Sequence, residues 1–254
     1  MTALSYKLDF FFQVFGRLLL ITVFYFMVKA LGGSAAAPQG YAGGLFPYVL
    51  VGIAFSDCIS VSMSIFGRQI REGQTTGSLE ITLLSPVPLP LILVCSSLWA
   101  YFFSGLRLLF YLLMGALLFG VGFSRADWAA ALAVLVLTDL CFMGLGILFA
   151  SVVVLFKRGD SLGMILGDAM VLVGGALFPV AVLPHWVQLV SKAVPFMYAL
   201  ECMRGALLEG RGLAELGHGV SVLVAFALVC LGLGLFCFDR AVGLAKRQGS
   251  LAEF

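Results

Sequence analysis

Charged residues are scarce in this sequence. Aspartate, glutamate, lysine and arginine make up 11% of the 254 residues, whereas about a quarter is typical of a soluble domain. So few charges cannot cover the surface of a soluble protein. The 15 lysines and arginines against 13 aspartates and glutamates give a net charge of +2, which provides no basic stripe for nucleic acid. The composition therefore excludes a soluble protein and predicts no nucleic-acid partner.

Motifs for catalysis and metal binding are also missing. Neither of the two histidines, His185 and His218, belongs to an H-E-x-x-H motif. One G-x-S-x-G pattern occurs, at residues 159–163, but a nucleophile elbow needs a strand-to-helix turn, and the long hydrophobic runs on either side do not predict a strand there. The sequence has no G-x-x-x-x-G-K-[ST] loop, so it cannot bind ATP in that mode. The six cysteines include no C-x-x-C pair. We therefore expect no catalytic residue, no metal ligand and no cofactor on this chain.

Hydrophobic residues are abundant and make up 62% of the sequence. A helix needs about 20 predominantly apolar residues to cross a membrane. The sequence predicts an all-α membrane protein, a single domain over residues 1–254, with six transmembrane helices. The predicted spans cover about residues 18–31, 45–66, 89–123, 128–156, 162–183 and 220–238. Only residues 124–127 join the third and fourth spans, which predicts an antiparallel hairpin.

The first 16 residues have a different pattern. Hydrophobic side chains recur there at helical spacing, which predicts an amphipathic helix lying on the membrane surface over residues 1–16: Leu4, Leu8, Phe11 and Phe15. The alternative is a secretory signal, in which Lys7 and Arg17 precede the apolar run and Ala35-Ala36-Ala37 offers a cleavage site.

Basic residues predict the orientation, because they concentrate on the cytoplasmic side of membrane proteins. With both termini inside, the cytoplasmic set is the larger one: Lys7, Arg17, Arg68, Arg71, Lys157, Arg158, Arg240, Lys246 and Arg247. The opposite set is smaller: Lys29, Arg125, Lys192, Arg204 and Arg211. We expect a multi-pass protein of the cell inner (plasma) membrane with both termini cytoplasmic.

The segment over residues 184–212 lies on the outer side in this topology. Pro184 and Trp186 begin one short amphipathic piece, Pro195 begins a second, and Gly210 and Gly212 end it. This pattern predicts two short re-entrant helices that dip into the outer leaflet before the last span. An exposed loop with a helical hairpin is the alternative.

Four ionisable residues fall within the predicted spans: Asp57, Arg107, Asp139 and Asp168. Placing such a side chain inside the membrane costs free energy, so each of the four is a functional candidate. Arg107 lies roughly 18 residues before the turn between the third and fourth spans, and Asp139 roughly 14 after it. At about 1.5 Å per residue the two depths differ by about 6 Å. This predicts an Arg107–Asp139 ion pair, with either a structural or a gating role. Asp57 is a competing partner for Arg107.

Gly163 and Gly167 lie four residues apart in the fifth predicted span. Small residues at that spacing allow two helices to approach closely. They indicate either a contact within the chain or the seam of a dimer, and the spacing alone does not choose.

Residues 68–86 contain a candidate docking element. Ser78 can cap a short helix, Leu79, Leu83 and Leu84 give it an apolar face, and Pro86 ends it. A short cytoplasmic helix of this kind is typical of a docking site for a soluble partner. The alternative is a surface loop lying on the lipid headgroups.

The same segment resembles a known family. The run Arg71-Glu72, Gly77-Ser78-Leu79-Glu80 and Leu83-Leu84-Ser85-Pro86 looks like the cytoplasmic signature of type-2 ATP-binding-cassette (ABC) export permeases. A second match is similar to the outer re-entrant helices of that family: Phe178-Pro179, Leu183-Pro184, Trp186, Pro195, Tyr198-Ala199-Leu200 and Arg204.

The resemblance implies a permease subunit that is not itself an enzyme. Its partners would be a cytoplasmic ABC ATPase subunit, which holds ATP and magnesium, and a second permease copy or homologue. Export would proceed by alternating access. The cargo would be hydrophobic or amphipathic: drug-like, a lipid or a lipid-linked saccharide. Seven residues would form the coupling helix that docks on the ATPase: Arg71, Glu72, Gly77, Leu79, Glu80, Leu83 and Leu84.

The resemblance also gives roles to residues elsewhere in the chain. Gly163 and Gly167 would lie in the dimer seam, and Trp186 and Tyr198 would form the outer gate. Two other classes of function stay open. A self-contained channel or proton-coupled carrier would depend on Asp57, Asp139 or Asp168, and an intramembrane enzyme would need a nucleophile and base that the sequence does not offer.

Overall fold

The computed structural model describes residues 2–30, 44–76, 89–156 and 160–247. Helices account for most of these residues, and the described ranges contain no strand. The all-α prediction is therefore confirmed. The α-helices in chain order are α1 (Thr2–Ala30), α2 (Leu45–Thr75), α3 (Leu89–Phe119), α4 (Trp128–Phe156), α5 (Asp160–Val173), α6 (His185–Ala193), α7 (Pro195–Arg204) and α8 (Gly217–Arg247).

Four helices in the described residues are long and apolar enough to cross a membrane. The candidate spans are Leu45–Gly73, Leu89–Phe119, Trp128–Val154 and Gly217–Leu244. A helix of 31 residues, such as α2, is about 46 Å long, which exceeds the roughly 30 Å of bilayer hydrocarbon. The chain is therefore a multi-pass membrane protein, and four of the six predicted spans have a counterpart of sufficient length.

In the other two predicted spans the helices of the structure differ from the prediction. α1 is one continuous helix of 29 residues, so there is no helix end between the predicted interfacial segment 1–16 and the span from residue 18. α5 has 14 residues and is about 21 Å long, too short to cross. The chain turns directly after it because Gly175 has a φ of +81°, a left-handed conformation that favours glycine. The helix therefore covers only the first part of the predicted span over 162–183, which is not one unbroken helix.

The helices align so that the first and last helical residues lie at the same end of the molecule. At one end, here called the upper end, the Tyr25 ring lies 5.1 Å from that of Phe46 and 4.6 Å from that of Phe119. At the opposite, lower end, the C-terminal parts of α2, α4 and α8 pack with the first turn of α3 through Ile70, Leu89, Val154 and Phe238. α1 therefore begins, and α8 ends, toward the lower end.

Two glycines allow α4 and α8 to pack closely. A Cβ atom on Gly144 would overlap the backbone of Cys230 and Leu231, and one on Gly234 would overlap the Gly144 carbonyl oxygen. Close helix approach at small residues is a main source of packing energy between membrane helices. This contact fixes the last helix against the bundle.

We expect Gly234→Ala to destabilise the protein by about 1–3 kcal/mol, because the added methyl group pushes α8 away from α4. Gly232→Ala is the matched control, since a Cβ at Gly232 meets no atom within 4 Å. The measurement is the midpoint of thermal unfolding in detergent, followed by size-exclusion chromatography. Equal midpoints for the two variants would contradict the close approach.

Candidate functional site

A buried ion pair joins α2 to α3. Arg107 Nε lies 2.7 Å from Asp57 Oδ2 and donates a hydrogen bond to it, and both residues are buried. The predicted Arg107–Asp139 pair is wrong, and the competing partner Asp57 takes its place. The reason is helix packing: α2 packs along α3, whereas a cavity lies between α3 and α4. Similar depth therefore did not bring Arg107 and Asp139 together.

Arg17 brings α1 to the same place. Its Nε lies 3.8 Å from Asp57 Oδ1, and its guanidinium donates a 3.3 Å hydrogen bond to Ser56 Oγ. Arg17, Ser56, Asp57 and Arg107 form what we call the Asp57 cluster, in which one carboxylate lies between two guanidinium groups. Arg17 was predicted to be one of the cytoplasmic basic residues. The helical spacing of hydrophobic residues continues without a break through residue 17. That pattern was the signal in the sequence that Arg17 lies beside the spans.

The other two candidate carboxylates are not part of this cluster. Asp139 lies in the wall of the cavity between α3 and α4, and its Oδ1 is buried without a hydrogen-bond partner in the described structure. Asp168 is exposed on α5. The described contacts thus join Asp57 to arginines and do not connect the three carboxylates into one path.

Arg204, buried at the end of α7, holds the upper end together. Its Nε donates to the Tyr48 carbonyl at 3.1 Å. Its two terminal nitrogens donate to the Gly175 carbonyl at 3.1 Å, and one also donates to the Ala176 carbonyl at 2.9 Å. The guanidinium carbon lies 3.3 Å from the centroid of the Tyr48 ring, which adds a cation–π contact. One side chain therefore joins α2, α7 and the turn after α5.

The lower end of α2 carries the first two residues of the predicted coupling segment. Arg71 and Glu72 are exposed there, and α2 continues without a break to Thr75. Residues 68–75 therefore continue the long helix beyond residue 66, the predicted end of the second span. The rest of the coupling prediction lies outside the described residues: Gly77, Leu79, Glu80, Leu83 and Leu84.

Comparison with known protein families shows which family this chain belongs to. The model of the family described as ABC-2 type transporter matches residues 4–208, most of the chain. The chain belongs to the ABC-2 type transporter family. It is a permease component, the transmembrane part of such a transporter, and the family associates with an ATP-binding subunit. No individual curated protein matches this sequence.

Gly163 and Gly167 of this permease face its own α2. A Cβ atom on Gly163 would lie 2.8 Å from the Met63 carbonyl oxygen, and one on Gly167 would lie 3.5 Å from Met63 Cβ. Both glycines are buried. The contact within the chain is therefore the alternative that the structure supports. The assignment of these two glycines to a dimer seam stays a prediction.

The predicted outer gate lies on two short helices, α6 and α7, where the prolines predicted them. Trp186 on α6 is 70% exposed. Tyr198 on α7 donates a 3.1 Å hydrogen bond to the Lys192 carbonyl, and its ring lies 6.4 Å from that of Phe226 in α8. Tyr198 is thus fixed by packing, whereas the side chain of Trp186 is exposed. Their position in the outer leaflet stays a prediction.

The cysteines of the permease serve mainly as packing residues. Cys58, Cys141, Cys202 and Cys230 are buried. Burial raises the pKa of the Cys202 thiol to about 11, so this thiol is protonated at neutral pH and a poor nucleophile. Among residues 2–30, 44–76, 89–156 and 160–247, no three His, Cys, Asp or Glu side chains are placed to hold a metal ion.

Proposed function

We propose that this ABC-2 permease is the membrane-spanning subunit of an ATP-driven exporter. A separate cytoplasmic ATPase subunit would bind ATP and magnesium, and a second permease copy or homologue would complete the pathway. The cargo would be a hydrophobic or amphipathic molecule, drug-like, a lipid or a lipid-linked saccharide. It would move outward across the cytoplasmic membrane.

The observation that carries this proposal is the continuity of α2. The helix runs unbroken from Leu45 to Thr75, and its upper end is tied to Arg204 through the Tyr48 carbonyl. At mid-length Asp57 binds Arg107, and at the lower end Arg71 and Glu72 are exposed. A packed helix transmits a displacement along its axis because protein interiors have low compressibility. A push on residues 71–86 would therefore reach α1, α3 and the upper end.

Such a lever fits alternating access by rigid-body motion. ATP binding would close the two ATPase subunits, the coupling segment 68–86 would follow them, and α2 would carry that motion upward. The second permease copy would contact exposed apolar side chains of α1, such as Val23 and Phe26, rather than Gly163 and Gly167. In this orientation the lower end, with Arg68, Arg71 and Arg240, would face the cytoplasm.

The first experiment tests the docking of the ATPase. We expect the permease to co-purify in detergent with its ATPase subunit, and the triple variant Glu72→Ala, Leu79→Asp, Leu83→Asp to retain about one tenth or less of it. Two aspartates in an apolar docking groove would be buried without partners, which is costly. The measurement is the ratio of ATPase to permease after affinity purification, with and without nucleotide.

Leu213→Asp is the control, because Leu213 is an exposed leucine in the segment after α7, at the upper end. It should leave the ratio unchanged. Both variants must elute at the wild-type position in size-exclusion chromatography. If the triple variant holds the ATPase as well as wild type, or if wild type holds none under any nucleotide condition, the coupling assignment fails.

A further inference from the structure

A large cavity separates α3 and α4. Its volume is about 690 Å³, within the roughly 300–1,000 Å³ range of pockets that bind small molecules. The walls are almost entirely hydrophobic, with α3 on one side and α4 on the other. Representative lining residues are Leu98, Phe102, Leu109, Leu132, Leu135 and Leu140.

The mouth of this cavity lies on the outer surface of the helix bundle. Phe102 on α3 is 64% exposed and Leu132 on α4 is 62% exposed. Both belong to helices that are candidate membrane spans, so lipid rather than water surrounds this surface. A ligand therefore reaches the cavity from within the bilayer.

One carboxylate lies in this hydrophobic wall. Asp139 lines the cavity, and its Oδ1 is buried with no hydrogen-bond partner among the described residues. Arg107, the nearest cation expected from the sequence, is bound to Asp57 instead. A buried carboxylate oxygen without a partner is costly, and an ionisable group at membrane depth marks a functional site by default.

The chemistry of the cavity identifies its occupant. We propose that the cavity between α3 and α4 binds a membrane-soluble amine, whose apolar body fills the space between the helices and whose ammonium group donates to Asp139. A cationic amphiphile satisfies both features, since its chain matches the hydrophobic walls and its charge complements the carboxylate. The proposal is independent of the proposed export function, because binding here needs neither the ATPase nor nucleotide.

Photolabelling of the purified permease in nanodiscs tests this proposal. The probe is a tritiated dodecylamine with a diazirine on its chain, and the comparison probe carries a hydroxyl group in place of the amine. We expect saturable labelling of α3 and α4 peptides by the amine only. Asp139→Asn should weaken its apparent affinity by about tenfold or more, because the ammonium loses its ion pair with the carboxylate and keeps only a hydrogen bond to a neutral amide oxygen.

A second variant tests the cavity without altering the carboxylate. A Cβ atom on Gly105 would lie 3.5 Å from Leu135 Cδ2, an ordinary contact, so Gly105→Phe should place a ring in the cavity and abolish saturable labelling. Asp168→Asn, which changes an exposed carboxylate, should leave labelling unchanged. If Asp139→Asn does not fold, Gly105→Phe decides the outcome.

Equal labelling by the amine and the alcohol would overturn the proposal. So would unchanged affinity in folded Asp139→Asn, or saturable labelling that persists in Gly105→Phe. Labelling that never saturates would mean that the probe only samples lipid around the helices, and would also overturn it. Labelling of α1 and α2 in place of α3 and α4 would reject this cavity as the site.

Discussion

Replacing Arg107 with leucine should destabilise the permease by about 3–5 kcal/mol, the usual cost of removing one partner from a buried ion pair. Among the residues that the structure describes, Asp57 would then keep Arg17, whose Nε is 3.8 Å from its Oδ1. The measurement is the free energy of unfolding in an SDS titration followed by tryptophan fluorescence.

A rescue experiment distinguishes the two possible partners of Arg107. Adding Asp57→Leu to Arg107→Leu should recover part of the lost stability, because a buried pair can be replaced by hydrophobic residues of similar volume. Adding Asp139→Leu should not. Asp168→Asn serves as the control for removing an exposed carboxylate. Rescue by Asp139→Leu instead would show that the depth-based pairing is the correct one.

Arg204→Lys should cost about 3 kcal/mol or more, although the charge is kept. A lysine cannot reproduce the planar fork that donates to the carbonyls of Tyr48, Gly175 and Ala176, and it also loses the flat contact with the Tyr48 ring. Hydrogen bonds from charged groups are worth about 1.5–3 kcal/mol each. The same SDS titration measures the change.

Arg211→Lys is the matched comparison for this prediction. Arg211 is 53% exposed and forms an ion pair with Glu209 at 2.5 Å. Surface ion pairs contribute about 0–1 kcal/mol, so this variant should unfold close to wild type. Should Arg204→Lys behave like Arg211→Lys, the carbonyl contacts of Arg204 do not hold the upper end together.

The two buried arginines show where sequence reasoning succeeded and where it stopped. Arg107 was identified as a functional candidate because a charge inside a hydrophobic run is visible in the sequence. Its partner was assigned incorrectly, since position along a helix gives depth but not which neighbouring helix a side chain faces. The role of Arg204 was not visible in the sequence in this way. It was counted among the basic residues outside the spans. Its partners are backbone carbonyls, which occur in every residue and therefore mark no position in a sequence.

The ends of the helices show the same contrast, since some could be predicted from the sequence and others could not. Prolines and glycines located α6, α7 and the turn after them, because these residues restrict or release the backbone locally. The length of α5 was overestimated, because hydrophobic residues continue past Val173 while the chain turns at Gly175, with a φ of +81°. A hydrophobic run reports that residues avoid water. It does not report that they form one straight helix.

The sequence by itself determined that this protein is a helical membrane protein with a recognisable permease pattern. Scarce charge and long apolar runs are sufficient for that, because only helices or closed barrels satisfy the backbone in lipid. The tertiary structure decided the partners: Asp57 for Arg107, Met63 for Gly163 and Gly167, and a hydrophobic cavity for Asp139. These depend on which helices are neighbours and how each is rotated, and packing among distant segments sets both.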